Sequence, residues 1–163
     1  MIFLTVSVLA LSFPGCGKKE NTSDRTLRVG IVTYTQDDPF INTMTEQIRE
    51  DLKLKESKDM KILVSVKNGD NDQRDQDELV EEMIAAGCDV LCVNLVDRTA
   101  PSDIIKAARQ EKIPVIFFNR EPVKEDLMQW DQLYYVGCDA KQSGEMQGEI
   151  AAQVIRTDHS VDR

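Results

Sequence analysis

Two adjacent carboxylates and a phenylalanine follow an apolar stretch near the start of the chain. Asp37, Asp38 and Phe40 lie in the segment TQDDPF, which comes directly after LRVGIVTY. Carboxylates accept strong hydrogen bonds from hydroxyl groups, and an aromatic ring can cover an apolar C–H face. A sugar offers both kinds of surface. These residue types therefore predict a turn that binds a sugar.

Two further polar loops also follow apolar stretches: 94–97 (NLVD) and 119–122 (NREP). In a parallel sheet the carboxyl ends of the strands lie on one side, so loops that are distant in sequence converge there. The carboxamide of Asn94 is the candidate contact from the first of these loops, because it can both donate to and accept from a sugar hydroxyl.

Each candidate also has a structural interpretation. Asp38 precedes Pro39 and would serve as a helix N-cap. Asn94 could satisfy a turn, and Phe40 stands at helical spacing from Met44 and could belong to the core. Asp37 is expected to be solvated. The residues alone leave these alternatives open.

The elements that would position these residues follow from the pattern of apolar residues. Near-continuous apolar runs indicate strands that are covered on both faces, and apolar residues three or four apart indicate amphipathic helices. The two kinds of segment alternate, which predicts an α/β fold with an open parallel sheet flanked by helices. The predicted strands are 27–33, 61–67, 89–95, 114–118 and 133–137, and the predicted helices begin at residue 39 and cover 73–86, 101–110 and 143–155.

Composition narrows the function. The 163 residues include 20 basic and 29 acidic side chains, a net charge of -9, so nucleic acid is not an expected partner. The single histidine, His159, leaves no set of four zinc ligands. Cys88, Cys92 and Cys138 are interpreted as small buried hydrophobic residues, although a disulfide stays open.

The first residues predict export. Residues 1–15 form an apolar run too short for a membrane span, and Gly15 precedes Cys16. This arrangement resembles a bacterial lipoprotein cleavage site, at which Cys16 would be lipidated; the alternative is an ordinary signal peptide. The polar segment 16–26 is interpreted as a tether.

Several separated motifs resemble the bacterial galactose/glucose-binding protein family, a periplasmic-binding-protein type of sugar receptor. The likeness covers residues 27–154 and is carried by YTQDDPF, NGDNDQRDQDE, VNLVDRTA, IIKAARQEKIPVIFFNREP and YYVGCDAKQSGEMQGEIAA. The resemblance implies that Asp38, Phe40 and Asn94 contact the sugar. It also implies a first lobe at 27–113, and at 114–163 a hinge crossing followed by the start of a second lobe.

The resemblance further implies capture of D-galactose or D-glucose without catalysis, and delivery to an ABC sugar permease. The resemblance implies a chemoreceptor as a second partner. It also implies a monomer that is attached to the membrane by its lipid anchor only. The family's calcium loop would lie beyond the end of this chain, so no cofactor is expected. The chain is expected to be a fragment that holds the first-lobe half of the sugar site.

Three other functions compete with a sugar receptor. A response-regulator receiver needs a phosphoacceptor aspartate where Asn94 stands. The sensor lobe of a sugar-responsive regulator would follow a helix-turn-helix, whereas an apolar leader precedes this one. A secreted hydrolase would need separated carboxylates or an activated nucleophile, and Asp37 is adjacent to Asp38.

Overall fold

The computed structural model describes residues 25–157, in which strands and helices alternate. The strands are β1 (Arg25–Thr33), β2 (Met60–Asn68), β3 (Val90–Val93), β4 (Val115–Phe118) and β5 (Leu133–Val136). The helices are α1 (Pro39–Leu54), α2 (Gln73–Ala85), α3 (Ser102–Glu111), α4 (Lys124–Leu127) and α5 (Ala140–Thr157).

The five strands form one parallel sheet in the order β2-β1-β3-β4-β5. β1 lies between β2 and β3, and Val29 is in register with Val64 on one side and Val90 on the other. The polar turns after β1, β3 and β4 therefore emerge at the same edge of the sheet. This confirms the predicted fold class.

The core lies on both faces of the sheet because successive residues of a strand point to opposite sides. Ile31 belongs to the cluster that packs against Met44 and Ile48 of α1. Val32 belongs to the opposite cluster, with Val80 of α2 and Ile104 of α3. Coverage of both faces explains why the strands read as continuous apolar runs.

Aspartates cap the first two helices. Asp38 is the N-cap of α1, with Pro39 in the first turn. Asp72 caps α2 by accepting from the backbone N–H groups of Arg74 and Asp75. Gly87, with φ of 79°, follows α2 in the left-handed region that glycine adopts without strain.

The predicted domain boundary after residue 113 needs correction. β4 pairs with β3 and β5 pairs with β4, so residues 115–136 continue the sheet of the first lobe rather than starting a second one. Residues 25 and 26, which were assigned to the tether, are the first residues of β1. The short helix α4 lies between β4 and β5 and was not predicted.

Helix α5 has no buried residue, and Met146, Ile150 and Val154 along it are all exposed. Cys138, just before it, is exposed as well, so the prediction that this cysteine is buried is wrong; Cys88 is buried and Cys92 is mostly covered. No helix within residues 25–157 is long and apolar enough to cross a membrane. The predicted signal peptide, Cys16 and His159 lie outside the described residues.

Candidate ligand-binding site

Asp38 is held between two donors. The Tyr34 hydroxyl donates to Oδ2 at 2.6 Å, and the Phe40 backbone N–H donates to Oδ1 at 2.8 Å. The bond from Tyr34, followed by the one from Phe40, lowers the pKa of Asp38 below its ordinary value. The N-cap interpretation is therefore confirmed. A carboxylate has about four lone-pair positions, so capping leaves Asp38 able to accept further bonds.

Phe40 is not a core residue. Its side chain is 60% exposed, whereas Ile41 and Thr45 are the buried residues of α1. The exposed ring of Phe40 rules out the core alternative, and its contact with a sugar stays a prediction. Asp37 is exposed, and its backbone N–H donates to Oγ1 of Thr35 at 3.1 Å, which stabilises the turn.

Asn94 does not face the open edge of the sheet. It is 0% exposed, and its Nδ2 donates to the Phe118 carbonyl at 3.0 Å and to Oδ1 of Asn119 at 3.1 Å. Its Oδ1 has no hydrogen-bond partner among the described residues, and the contact of Asn94 with a sugar stays a prediction. Asn94 also holds the end of β4 in place through its bond to the Phe118 carbonyl.

Asn119, one residue beyond β4, was not singled out from the sequence. Its φ of 63° is left-handed, a conformation that asparagine tolerates better than most residues. The Tyr135 hydroxyl donates to its carbonyl at 3.0 Å, and its own N–H donates to the Val136 carbonyl at 3.1 Å. These bonds fix Asn119 at the wall of an open cavity.

Arg120 links three loops at this edge. Its guanidinium lies 3.6 Å from the centroid of the Tyr34 ring, and its Nη1 donates to the carbonyls of Val96 at 2.8 Å and Leu95 at 3.3 Å. Stacking of a guanidinium on an aromatic ring is favourable, and the fixed fork of donors holds it in place. The sequence placed Arg120 in the right loop but gave no sign of the stacking.

Glutamines of α2 fix the loop after β3. Gln76 is fully buried, donates from Nε2 to the Asn94 carbonyl and accepts from the Val96 N–H, both at 2.9 Å. Asp97 accepts from the hydroxyl and the N–H of Thr99, and these bonds lower its pKa. These bonds stabilise the turn that contains Asp97, which fits a structural role for this residue.

The open cavity has a volume of about 850 Å³ and lies between these loops and the start of α5. Its wall includes Asn119, Arg120 and Tyr135, but neither Asp38 nor Phe40. The turn after β1 and the cavity are thus neighbouring parts of one edge, joined by Arg120. Within residues 25–157, no group of three His, Cys, Asp or Glu side chains could hold a metal ion.

Comparison with known proteins gives consistent matches. The model of a periplasmic binding protein domain matches residues 29–161. The D-galactose/methyl-galactoside binding periplasmic protein of Haemophilus influenzae is 33% identical over 135 residues, which are 83% of this chain and 40% of that protein. The chain therefore spans well under half the length of this relative.

Solved structures share the fold. An ABC transporter solute binding protein from Bacillus halodurans C-125 with bound myo-inositol is 26% identical, with a TM-score of 0.64 over 85% of this chain and 45% of that one. Another, from Clostridium phytofermentans with bound β-D-glucose, is 24% identical, with a TM-score of 0.67 over 80% and 37%.

Proposed function

Since this chain belongs to the periplasmic binding protein family, we propose that it forms one face of a site that binds a hexose outside the cytoplasm. The observation that carries the proposal is the pairing of the Asp38 carboxylate with the exposed ring of Phe40. Hydroxyls donate to the first and C–H groups pack on the second. Neither residue acts as an acid, base or nucleophile.

Asn119 joins Asn94 as a proposed sugar contact. Its amide lies at the same edge of the sheet as Asp38, and three hydrogen bonds to its N–H, its carbonyl and its Oδ1 fix its position. Asn94 donates to Oδ1 of Asn119 and so helps to orient it. A carboxamide can both donate and accept, which suits neighbouring hydroxyls of a sugar.

D-Galactose and D-glucose are the proposed ligands, because the Haemophilus relative is named for galactose binding and one related structure holds glucose. In the longer protein a second lobe would close over this face by hinge motion and present the sugar to an ABC permease. The same proposal includes recognition by a chemoreceptor, a monomeric state and a lipid anchor at Cys16.

Calorimetric titration with D-galactose, D-glucose and myo-inositol tests the proposal. Phe40→Ala removes the ring, and Asp38→Asn removes the charge while keeping an acceptor at the N-cap. Each should weaken hexose binding at least about tenfold, as expected for loss of an aromatic contact that the bound sugar covers, or of a charged acceptor. Asp59→Ala, at the opposite end of the sheet just before β2, is the matched control and should leave affinity unchanged. Unaltered binding by both site variants would refute the assignment.

A further inference from the structure

We propose that Tyr34 is a positioning residue for Asp38, and that Arg120 holds Tyr34 in the required place. This inference rests on the proposed function, since it concerns how the carboxylate is prepared for a sugar. It assigns Tyr34 and Arg120 a role in affinity without requiring either to contact the ligand.

The first step is the fixed orientation of the carboxylate. Asp38 receives one bond on each oxygen, from the Tyr34 hydroxyl at 2.6 Å and from the Phe40 N–H at 2.8 Å. With one donor on each side, the carboxylate plane cannot rotate without breaking a bond. The remaining lone pairs therefore point in set directions before a ligand arrives, which reduces the entropy lost on binding.

The N-cap bond alone would not achieve this. The bond from the Phe40 N–H involves only Oδ1, and the Ile41 N–H contributes less to the ionised form. A carboxylate held on this side alone can turn about that contact. The Tyr34 hydroxyl supplies the second point from within the same turn, four residues before Asp38. Removal of this hydroxyl alone should therefore release the carboxylate and leave the cap in place.

The second step is the restraint on Tyr34 itself. Arg120 lies 3.6 Å from the centroid of the ring, and its Nη1 donates to the carbonyls of Leu95 and Val96 in the loop after β3. The ring is thus covered by a group anchored to the loop after β3. Because Arg120 follows β4, it ties the turn after β1 to the ends of two other strands.

The charges favour the same arrangement. The hydrogen bond to Asp38 is the main cause of the raised pKa of Tyr34, so the phenol stays protonated and remains a donor at neutral pH. The positive charge of Arg120 also helps to keep Asp38 ionised. Donor and acceptor are consequently in the correct states over the physiological range.

An NMR titration of the Asp38 carboxyl carbon in the whole chain tests the first step without any sugar. Tyr34→Phe should raise the pKa of Asp38, because it removes the hydrogen bond that contributes most to the ionised form. Tyr134→Phe, which deletes the hydroxyl of a half-exposed tyrosine in β5, is the matched control and should leave the Asp38 titration unchanged. An Asp38 titration unaffected by Tyr34→Phe would overturn the inference.

The role of Arg120 is tested by combining variants. If Arg120 acts through Tyr34, Tyr34→Phe should shift the Asp38 titration less in an Arg120→Ala background than in the native chain. Equal shifts in the two backgrounds would overturn the part of the inference that concerns Arg120.

Hexose titration separates this inference from the proposed function. Tyr34→Phe should weaken binding about tenfold, in line with a lost hydrogen bond to a charged group, with no change for Tyr134→Phe. Weaker binding in Asp38→Asn but not in Tyr34→Phe would overturn the positioning role and leave the sugar site standing. Absence of hexose binding by the native chain would instead overturn the proposed function, while the sugar-free titration still reports on the Tyr34 contact.

Discussion

Nδ2 of Asn94 lies 3.1 Å from Oδ1 of Asn119 and donates to it, although the two residues are 25 positions apart. The contact links the end of β3 to the end of β4, underneath the edge that carries the candidate site. Asn94 is completely buried, whereas Asn119 lies in the cavity wall. Asn94 thus supports the ends of two neighbouring strands from the interior, whereas Asn119 is exposed to the cavity.

This contact makes Asn94 important for stability. Asn94→Ala removes the donor to the Phe118 carbonyl and to Asn119, and we expect the free energy of unfolding to fall by about 1–3 kcal/mol. Urea denaturation followed by circular dichroism measures the change. Gln110→Ala, at an exposed carboxamide in α3, is the control and should change the free energy of unfolding by less than about 0.5 kcal/mol. Equal effects of the two substitutions would argue against a supporting role for Asn94.

Gly69 should not tolerate a side chain. A Cβ atom at this position would lie 2.8 Å from the Thr33 carbonyl oxygen and 3.2 Å from Cβ of Gln76. Gly69 also donates its N–H to that carbonyl at 2.8 Å, so the turn after β2 cannot move away without losing this bond. Gly69→Ala is therefore expected to lower the free energy of unfolding by about 1–3 kcal/mol in urea denaturation.

Gly144 provides the comparison for Gly69. It lies in α5, and a Cβ there would meet nothing within 4 Å. Gly144→Ala should cause no loss of stability, because alanine favours a helix over glycine by about 1 kcal/mol. If Gly69→Ala were as harmless as Gly144→Ala, the close packing of the turn against β1 would be disproved.

The fold could be predicted from the sequence because its signals are local. The run LRVGIVT must be covered on both faces, and the structure places it in β1 between two other strands. The turn after β1 was equally readable, since an Asp-Pro pair that begins a helix and an adjacent Phe40 need no distant information. The exposure of Phe40 decided between two interpretations that sequence had left open.

The burial of Asn94 and the exposure of Asn119 could not be read in the same way. Both follow apolar strands, and both have the same side chain. Which one is covered depends on the backbone after each strand: Asn94 donates its N–H to the Val32 carbonyl of β1, whereas Asn119 turns to a φ of 63°. The sheet position of β5 was not predicted because pairing between strands has no local signal. The exposure of Cys138, just after β5, likewise depends on how distant segments pack.

The cysteines should react in an order set by burial. Burial raises the pKa of the Cys92 thiol to about 11, so at pH 8 it is almost entirely protonated and unreactive. Cys138 is exposed. Brief treatment with iodoacetamide at pH 8, followed by peptide mass spectrometry, should show modification of Cys138 and protection of Cys92. Both should react in urea, and early modification of Cys92 in the native chain would show that β3 is less covered than described.

The ionisation of Asp38 should make stability depend on pH. Its folded-state pKa is lowered from the ordinary value of 3.8, chiefly by the Tyr34 hydrogen bond and then by the Phe40 N–H. The stabilisation is therefore fully present above the ordinary value and is lost as the pH falls through the lower folded-state value. In the variant Asp38→Asn, the side chain at this position has no charge to lose over this pH range. When urea denaturation is repeated between about pH 6 and pH 3, the free energy of unfolding should therefore fall more for the native chain than for the variant. Other carboxylates, including Asp97, titrate in both proteins and cancel in the difference. Parallel stability curves for the two proteins would mean that Asp38 is no more easily ionised in the folded chain than in the unfolded one.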